Sequence, residues 1–133
     1  MKDIRIVIAG CGPVGVIAAL ACAQRGYAVT LLEAETKIDD NPRAATTHPS
    51  TLEMIARVGL IDAFIQEGLV APYFQFWDKR GRAKVVEFDH DVLRDETPYP
   101  FVVQTEQHKL ARMGIVRLKT FADTDVRFAT RVT

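Results

Sequence analysis

The chain has 133 residues, 48% of them hydrophobic and 26% charged, with 17 basic and 17 acidic side chains. A formal net charge of zero leaves no excess of Lys or Arg to displace counterions, which excludes a general electrostatic claim on nucleic acid or on an anionic membrane. The balance is that of one globular domain and not of a disordered chain, and two Cys are too few for a disulfide scaffold.

Ile6 to Ala23 carries no charge and follows a short head with Lys2 and Arg5. Ile8-Ala9-Gly10-Cys11 even has the look of a lipoprotein cleavage box. A signal peptide needs an apolar core of about 7–15 residues, and only Ile6 to Ala9 precedes Cys11. Gly10, Gly12, Pro13 and Gly15 interrupt any helix before it reaches the roughly 20 residues of a membrane span. The expectation is therefore a protein with no membrane span, located in the cytoplasm.

Ile4 to Ala9 (IRIVIA) is almost wholly apolar and rich in β-branched residues, which predicts a central parallel strand covered on both faces. Val14 to Arg25 is Ala-rich and helical, with Pro13 suited to a first turn and Gly26 to the C-terminal cap. Tyr27 to Leu32 is a second strand that ends at Glu33. Strand, glycine turn, helix and strand within about 30 residues make a βαβ unit.

Glu35 to His48 lacks periodicity and reads as a loop. Ser50-Thr51-Leu52-Glu53 fits a capping box, Leu52, Ile55 and Ala56 form one helical face, and Gly59 stops it. Ile61 to Gln66 is a shorter helix ending at Gly68. Tyr73 to Trp77 and Ala83 to Phe88 are aromatic and β-branched around a turn at 78–82, a hairpin. His90 to Tyr99 is a polar loop. Pro100 to Val103 is a short strand, at an edge because of its proline. Thr105 is placed to cap a helix running to about Thr120, with Leu110, Met113 and Leu118 as its apolar positions. Asp125 to Val132 alternates as a half-buried strand. There is no internal repeat.

Gly10-Cys11-Gly12-Pro13-Val14-Gly15 is G-x-G-x-x-G. The first glycine permits the turn out of the strand, the second leaves room for a pyrophosphate, and the third lets helix and sheet approach. The helix N-terminus adds unpaired N–H groups and partial positive charge. Glu33 stands 18 residues beyond Gly15, where a carboxylate accepts hydrogen bonds from ribose hydroxyls and repels a 2′-phosphate. Cys11 reads as a small side chain in a tight turn, and Cys22 as helix packing. His48, His90 and His108 show no zinc spacing and read as exposed or locally hydrogen-bonded. Asp89 and Asp91 around His90 form a charge cluster only. No Ser/His/Asp or paired-carboxylate arrangement is present. Arg43 offers a forked donor set to a diphosphate or is a solvated loop charge, and Gln104 is suited to a polyol or is a polar residue at a helix start.

With these residues in place, the sequence resembles the N-terminal part of the flavin-dependent aromatic hydroxylases, the para-hydroxybenzoate hydroxylase-like FAD monooxygenases. The resemblance rests on four features. They are Gly10 to Gly15 with Glu33; Pro42-Arg43-Ala44 followed by Pro49-Ser50-Thr51-Leu52-Glu53-Met54-Ile55 and Val58-Gly59-Leu60-Ile61-Asp62; the hairpin; and Gln104-Thr105-Glu106 followed by Leu110. It covers essentially the whole chain.

The resemblance implies an α/β fold: a Rossmann-type βαβ FAD-binding domain, incomplete, with a β-hairpin that begins a substrate domain. Residues 1–71 would hold the βαβ unit and helices, 72–103 a β-rich insertion, and 104–133 a helix and strand. It implies FAD contacts from Gly10, Gly12, Pro13, Val14, Gly15, Glu33, Ala34, Arg43 and Gln104. NADPH or NADH would serve as co-substrate, and a small aromatic compound would be hydroxylated with O2; no catalytic side chain is named. Members of the family are several times longer and carry two further FAD motifs downstream. The expectation is thus a fragment, inactive alone, whose uncovered sheet edge favours self-association. The alternative is a stand-alone Rossmann nucleotide-sensing module, against which the hairpin argues. A dehydrogenase fragment would leave Arg43, the Thr51-Leu52-Glu53 helix and Gln104 unexplained.

Overall fold

The computed structural model describes residues 4–41 and 43–133. Lys2 of the basic head and Pro42 of the Pro42-Arg43-Ala44 motif lie outside the described residues.

β1 (Arg5–Ala9), α1 (Pro13–Ala23) and β2 (Ala28–Leu32) form the expected βαβ unit. β1 runs parallel to β2 in register Arg5↔Ala28 to Ala9↔Leu32, and β2 runs parallel to β8 (Thr124–Arg127). The sheet order is β1-β2-β8. β2 is the covered strand, with Val29 and Leu31 wholly buried. β1 departs from its expected central place: among the described residues it pairs only with β2, and Val7 remains 60% exposed. Its apolar run promised two covered faces, yet one of them has no neighbour here.

α1 is apolar all round, as a helix covered on more than one side must be. The sheet takes one side and α4 (Gln107–Leu118) another. The approach to α4 depends on Gly114, where a Cβ would fall 2.1 Å from Val16 Cγ1. α2 (Pro49–Arg57) and α3 (Ile61–Glu67) add Leu52, Ile55 and Phe64 to the same core. Each such side chain stabilises the fold by about 1.5–3 kcal/mol through burial.

The capping box does not form. His48 is the N-cap of α2, Pro49 fills its first turn, and no side chain caps it. The fixed φ and missing N–H of proline suit a first turn, so the helix starts earlier and Ser50 falls inside it. At α4 the N-cap is Glu106 and not Thr105. The Thr105 amide donates to Ala45 O at 2.8 Å, and its hydroxyl is buried with no partner among the described residues.

A second sheet holds β3 (Thr46–Thr47), β7 (Val102–Gln104) and β4 (Leu69–Ala71) in the antiparallel order β3-β7-β4. β3 lies within the stretch expected to be loop, and β4 follows α3 unforeseen. β7 is central and not an edge. Pro100 precedes it and costs the ladder no hydrogen bond, while Val102 and Val103 are buried.

The hairpin is present as β5 (Tyr73–Asp78) and β6 (Ala83–Asp89), paired from Tyr73↔Asp89 to Asp78↔Ala83 with a bulge at Phe76/Trp77. Asp78 closes its turn by accepting the amides of Arg80 (3.1 Å) and Gly81 (2.7 Å). Phe76 meets Phe74 and Phe88 edge-on. Every residue of both strands is exposed, so the ribbon stands clear of the core. The following polar loop opens with a 3-10 turn (His90–Leu93). β8 stops at Arg127, earlier than expected, because Ala129 takes a left-handed φ of 51°. The chain then folds over the end of β2, where the amides of Ala129 and Thr130 donate to Glu35 O and Glu33 O, each at 2.8 Å.

Candidate functional site

The three glycines between β1 and α1 differ in what they permit. Gly10 has φ +102°, a conformation open to glycine and strained for other residues. Gly15 allows close contact, since a Cβ there would lie 2.0 Å from Gly10 O. Gly12, the N-cap of α1, has ordinary φ and nothing within 4 Å of the Cβ position. Its lack of a side chain serves neither strain nor packing and leaves open space in front of the helix. Pro13 starts the helix, and Val14 is 84% exposed beside it. The first-turn amides have no intrahelical acceptor.

Glu33 sits just past the end of β2, opposite this turn. Its Oε2 accepts the Cys11 amide at 2.9 Å and its Oε1 accepts the Glu35 amide at 3.1 Å. The Cys11 amide, then the Glu35 amide, holds the carboxyl below its usual range against the opposing effect of burial. The group is thus anionic at neutral pH and keeps lone pairs for a hydroxyl donor. Burial, with the Glu33 charge second, pushes the Cys11 thiol up to about 11. Cys11 is therefore a neutral filler of the turn.

The loop after β2 is ordered by Asp39. Its carboxylate accepts the Asn41 amide (3.1 Å), the Asn41 side-chain amide (2.7 Å) and Arg43 Nη2 (2.8 Å). The backbone bond from Asn41, followed by the Arg43 bond, keeps this carboxyl low.

These pieces enclose a cavity of about 300 Å³, at the low end for ligand pockets. Gly12, Pro13, Glu33 and Arg43 all line it, joined by Gln107 and His108 from the first turn of α4. Gly10, Val14, Gly15 and Ala34 are adjacent in the chain and outside the lining. Gln104 is also outside it. Gln104 ends β7, paired with Thr46, and its Oε1 accepts the Thr46 hydroxyl at 2.9 Å. It belongs to a strand, not to the head of a helix.

Sequence reasoning missed Gln107, His108 and the Asp39 turn. Gln107 and His108 belong to no motif; they reach the cavity beside Ala111 because α4 packs on α1. Asp39-x-Asn41 is a turn pattern in which Asp bonds two residues on. Among the described residues, no group of three His, Cys, Asp or Glu could hold a metal ion, and no helix is long and apolar enough to cross a membrane.

The arrangement offers unpaired amides and an open glycine for an anion, an adjoining carboxylate for hydroxyl groups, and a guanidinium at the rim. That is the donor set for a sugar joined to a diphosphate.

Comparison with known proteins agrees. The family described as "FAD binding domain" matches residues 3–133. The chain is 33% identical over 128 residues to 6-hydroxy-3-succinoylpyridine 3-monooxygenase HspB of Pseudomonas putida, covering 96% of this chain and 32% of that protein. It is 28% identical over 127 residues to para-nitrophenol 4-monooxygenase of a Pseudomonas species, covering 96% and 31%. The crystal structure of p-nitrophenol 4-monooxygenase PnpA from Pseudomonas putida superposes with a TM-score of 0.87 at 26% identity, over 94% of this chain and 32% of that one. The chain thus spans about a third of the length of these two curated relatives.

Proposed function

This chain belongs to the FAD-binding domain family of the flavin-dependent aromatic monooxygenases, and on that premise we propose that its cavity holds the adenosine and diphosphate end of FAD. The single observation carrying this is the meeting of the glycine turn and Glu33 at one cavity. Gly12 gives the diphosphate access to the amides of the α1 terminus. Glu33 accepts from the ribose hydroxyls and, by its charge, disfavours a 2′-phosphate. Arg43 exchanges its bond to Asp39 for a phosphate oxygen. Gly10 and Gly15 shape the turn without touching the cofactor. Val14 and Ala34 flank it through their backbone, and Gln104 reaches it only by leaving Thr46.

When bound, the flavin supplies the redox chemistry, taking electrons from NADPH or NADH and using O2 to hydroxylate an aromatic ring. The chain's own residues bind and orient it. Both relatives named above are monooxygenases by name, and aromatic hydroxylation is accordingly proposed for the full length of such a protein, of which 133 residues span about a third. We place the protein in the cytoplasm, and assign the hairpin's exposed aromatic face to the start of a substrate domain. By themselves these 133 residues are proposed to bind FAD without appreciable NAD(P)H oxidation on phenolic compounds.

The test is gel filtration of the purified chain after addition of FAD. Flavin absorbance co-eluting with the protein near one equivalent is expected; protein free of flavin at saturating FAD overturns the assignment.

A further inference from the structure

We propose that His108 is a diphosphate contact of this cavity and that FAD binding takes up a proton there. The inference rests on the FAD assignment above and goes beyond it, since neither the glycine turn nor Glu33 requires it.

The cavity's cations are already engaged. Arg43 is paired with Asp39 at 2.8 Å and Lys37 with Asp40 at 3.7 Å. On α4, Lys109 is held by Glu67 (2.9 Å) and Glu106 (3.0 Å), and Arg112 faces Asp40 at 3.5 Å. The lining carries Glu33, Glu35 and Asp39 against Lys37 and Arg43, a surplus of negative charge before any ligand arrives. A diphosphate adds about two more charges, and one helix terminus offsets only about half of one. Releasing Arg43 frees Asp39 and gains little net positive charge.

Among the described residues His108 is the one imidazole in the lining. It stands in the first turn of α4, so the amides of a second helix terminus border the same space as those of α1. Its Nδ1 is buried without a hydrogen-bond partner among the described residues, which is unfavourable for a polar group. Glu106, Lys109 and Arg112 are its neighbours along the chain, Glu106 interacting with it electrostatically, and Cys11, Glu33, Glu35, Lys37, Asp39 and Arg43 share the cavity lining with it. Backbone amides hold the carboxyls of Glu33 and Asp39 low, and burial pushes the Cys11 thiol up to about 11. His48 and His90 are outside the lining. A proton drawn from solvent to the ring supplies the missing charge against the phosphate oxygens.

The experiment is calorimetric FAD titration of wild type, His108→Gln and His108→Ala at pH 6, 7 and 8, in buffers of differing ionisation enthalpy, with circular dichroism to confirm folding. Wild type should bind FAD about tenfold more tightly at pH 6 than at pH 8, one unit of linkage, with net proton uptake. Both variants should lose the uptake and the slope, His108→Gln while still binding. FAD binding with the wild-type pH slope and proton uptake in His108→Gln overturns the inference and leaves the FAD assignment standing. No FAD binding by folded wild type overturns both.

Discussion

The amide of Cys11 donates to Glu33 Oε2 at 2.9 Å, so the turn that frames the cavity is pinned by the carboxylate proposed to hold the ribose. On that proposal one side chain serves local structure and ligand together. Glu33→Ala should weaken FAD binding by about 1.5–3 kcal/mol, the scale of a charged hydrogen bond. Unchanged FAD affinity in fluorescence titration would refute the ribose role.

The same pair sets an acid response. The Cys11 and Glu35 amides hold the folded-state carboxyl of Glu33 below its ordinary value of 4.5, so deprotonation and folding favour each other. That stabilisation is complete above the ordinary value and is lost as pH falls through the lowered one. Melting temperature should drop more steeply below about pH 4.5 in wild type than in Glu33→Gln, which lacks the titrating group. Parallel curves for the two proteins would contradict this.

Two glycines near Pro13, Gly12 immediately before it and Gly15 two residues after it, separate fold from binding. Gly15→Ala drives a methyl to 2.0 Å from Gly10 O, and overpacking of this kind costs about 1–3 kcal/mol or more; a marked fall in melting temperature is expected. Gly12→Ala meets nothing within 4 Å at an ordinary φ. It should melt close to wild type and lose FAD affinity, because its methyl stands in the approach to the helix amides. Equal FAD affinity in wild type and Gly12→Ala would exclude a close diphosphate.

Much of this was legible beforehand for a physical reason. Strand, turn and helix from Ile4 to Arg25 depend on local pattern and on backbone freedom at Gly10, and these are written into neighbouring residues. What depended on distant partners was not. The edge position of β1 is set by which strands lie beside it, and the central place of β7 by β3 and β4. At the site, Gly12 and Glu33 were readable from spacing. His108 was not, because only the packing of α4 on α1 across Gly114 brings it to the same cavity.

Arg43 and Asp39 form an exposed pair at 2.8 Å that a phosphate must displace. Asp39→Asn should raise FAD affinity a few-fold at low salt, and Arg43→Ala should lower it, with the difference shrinking as salt screens both. Lower affinity in Asp39→Asn would mean that Asp39 aims the guanidinium and does not compete for it.

Cys11 gives an independent check on the turn. With its thiol pushed up to about 11 by burial and by Glu33, little thiolate exists at pH 8. Mass spectrometry after iodoacetamide treatment of the folded protein should find Cys11 unmodified. Rapid alkylation there would show that the turn opens in solution.

Calorimetric titration of this chain with FAD and, separately, with NAD tests whether the glycine turn and Glu33 together hold the adenosine–diphosphate end of FAD. FAD should bind more tightly than NAD. Tighter binding of NAD would contradict it.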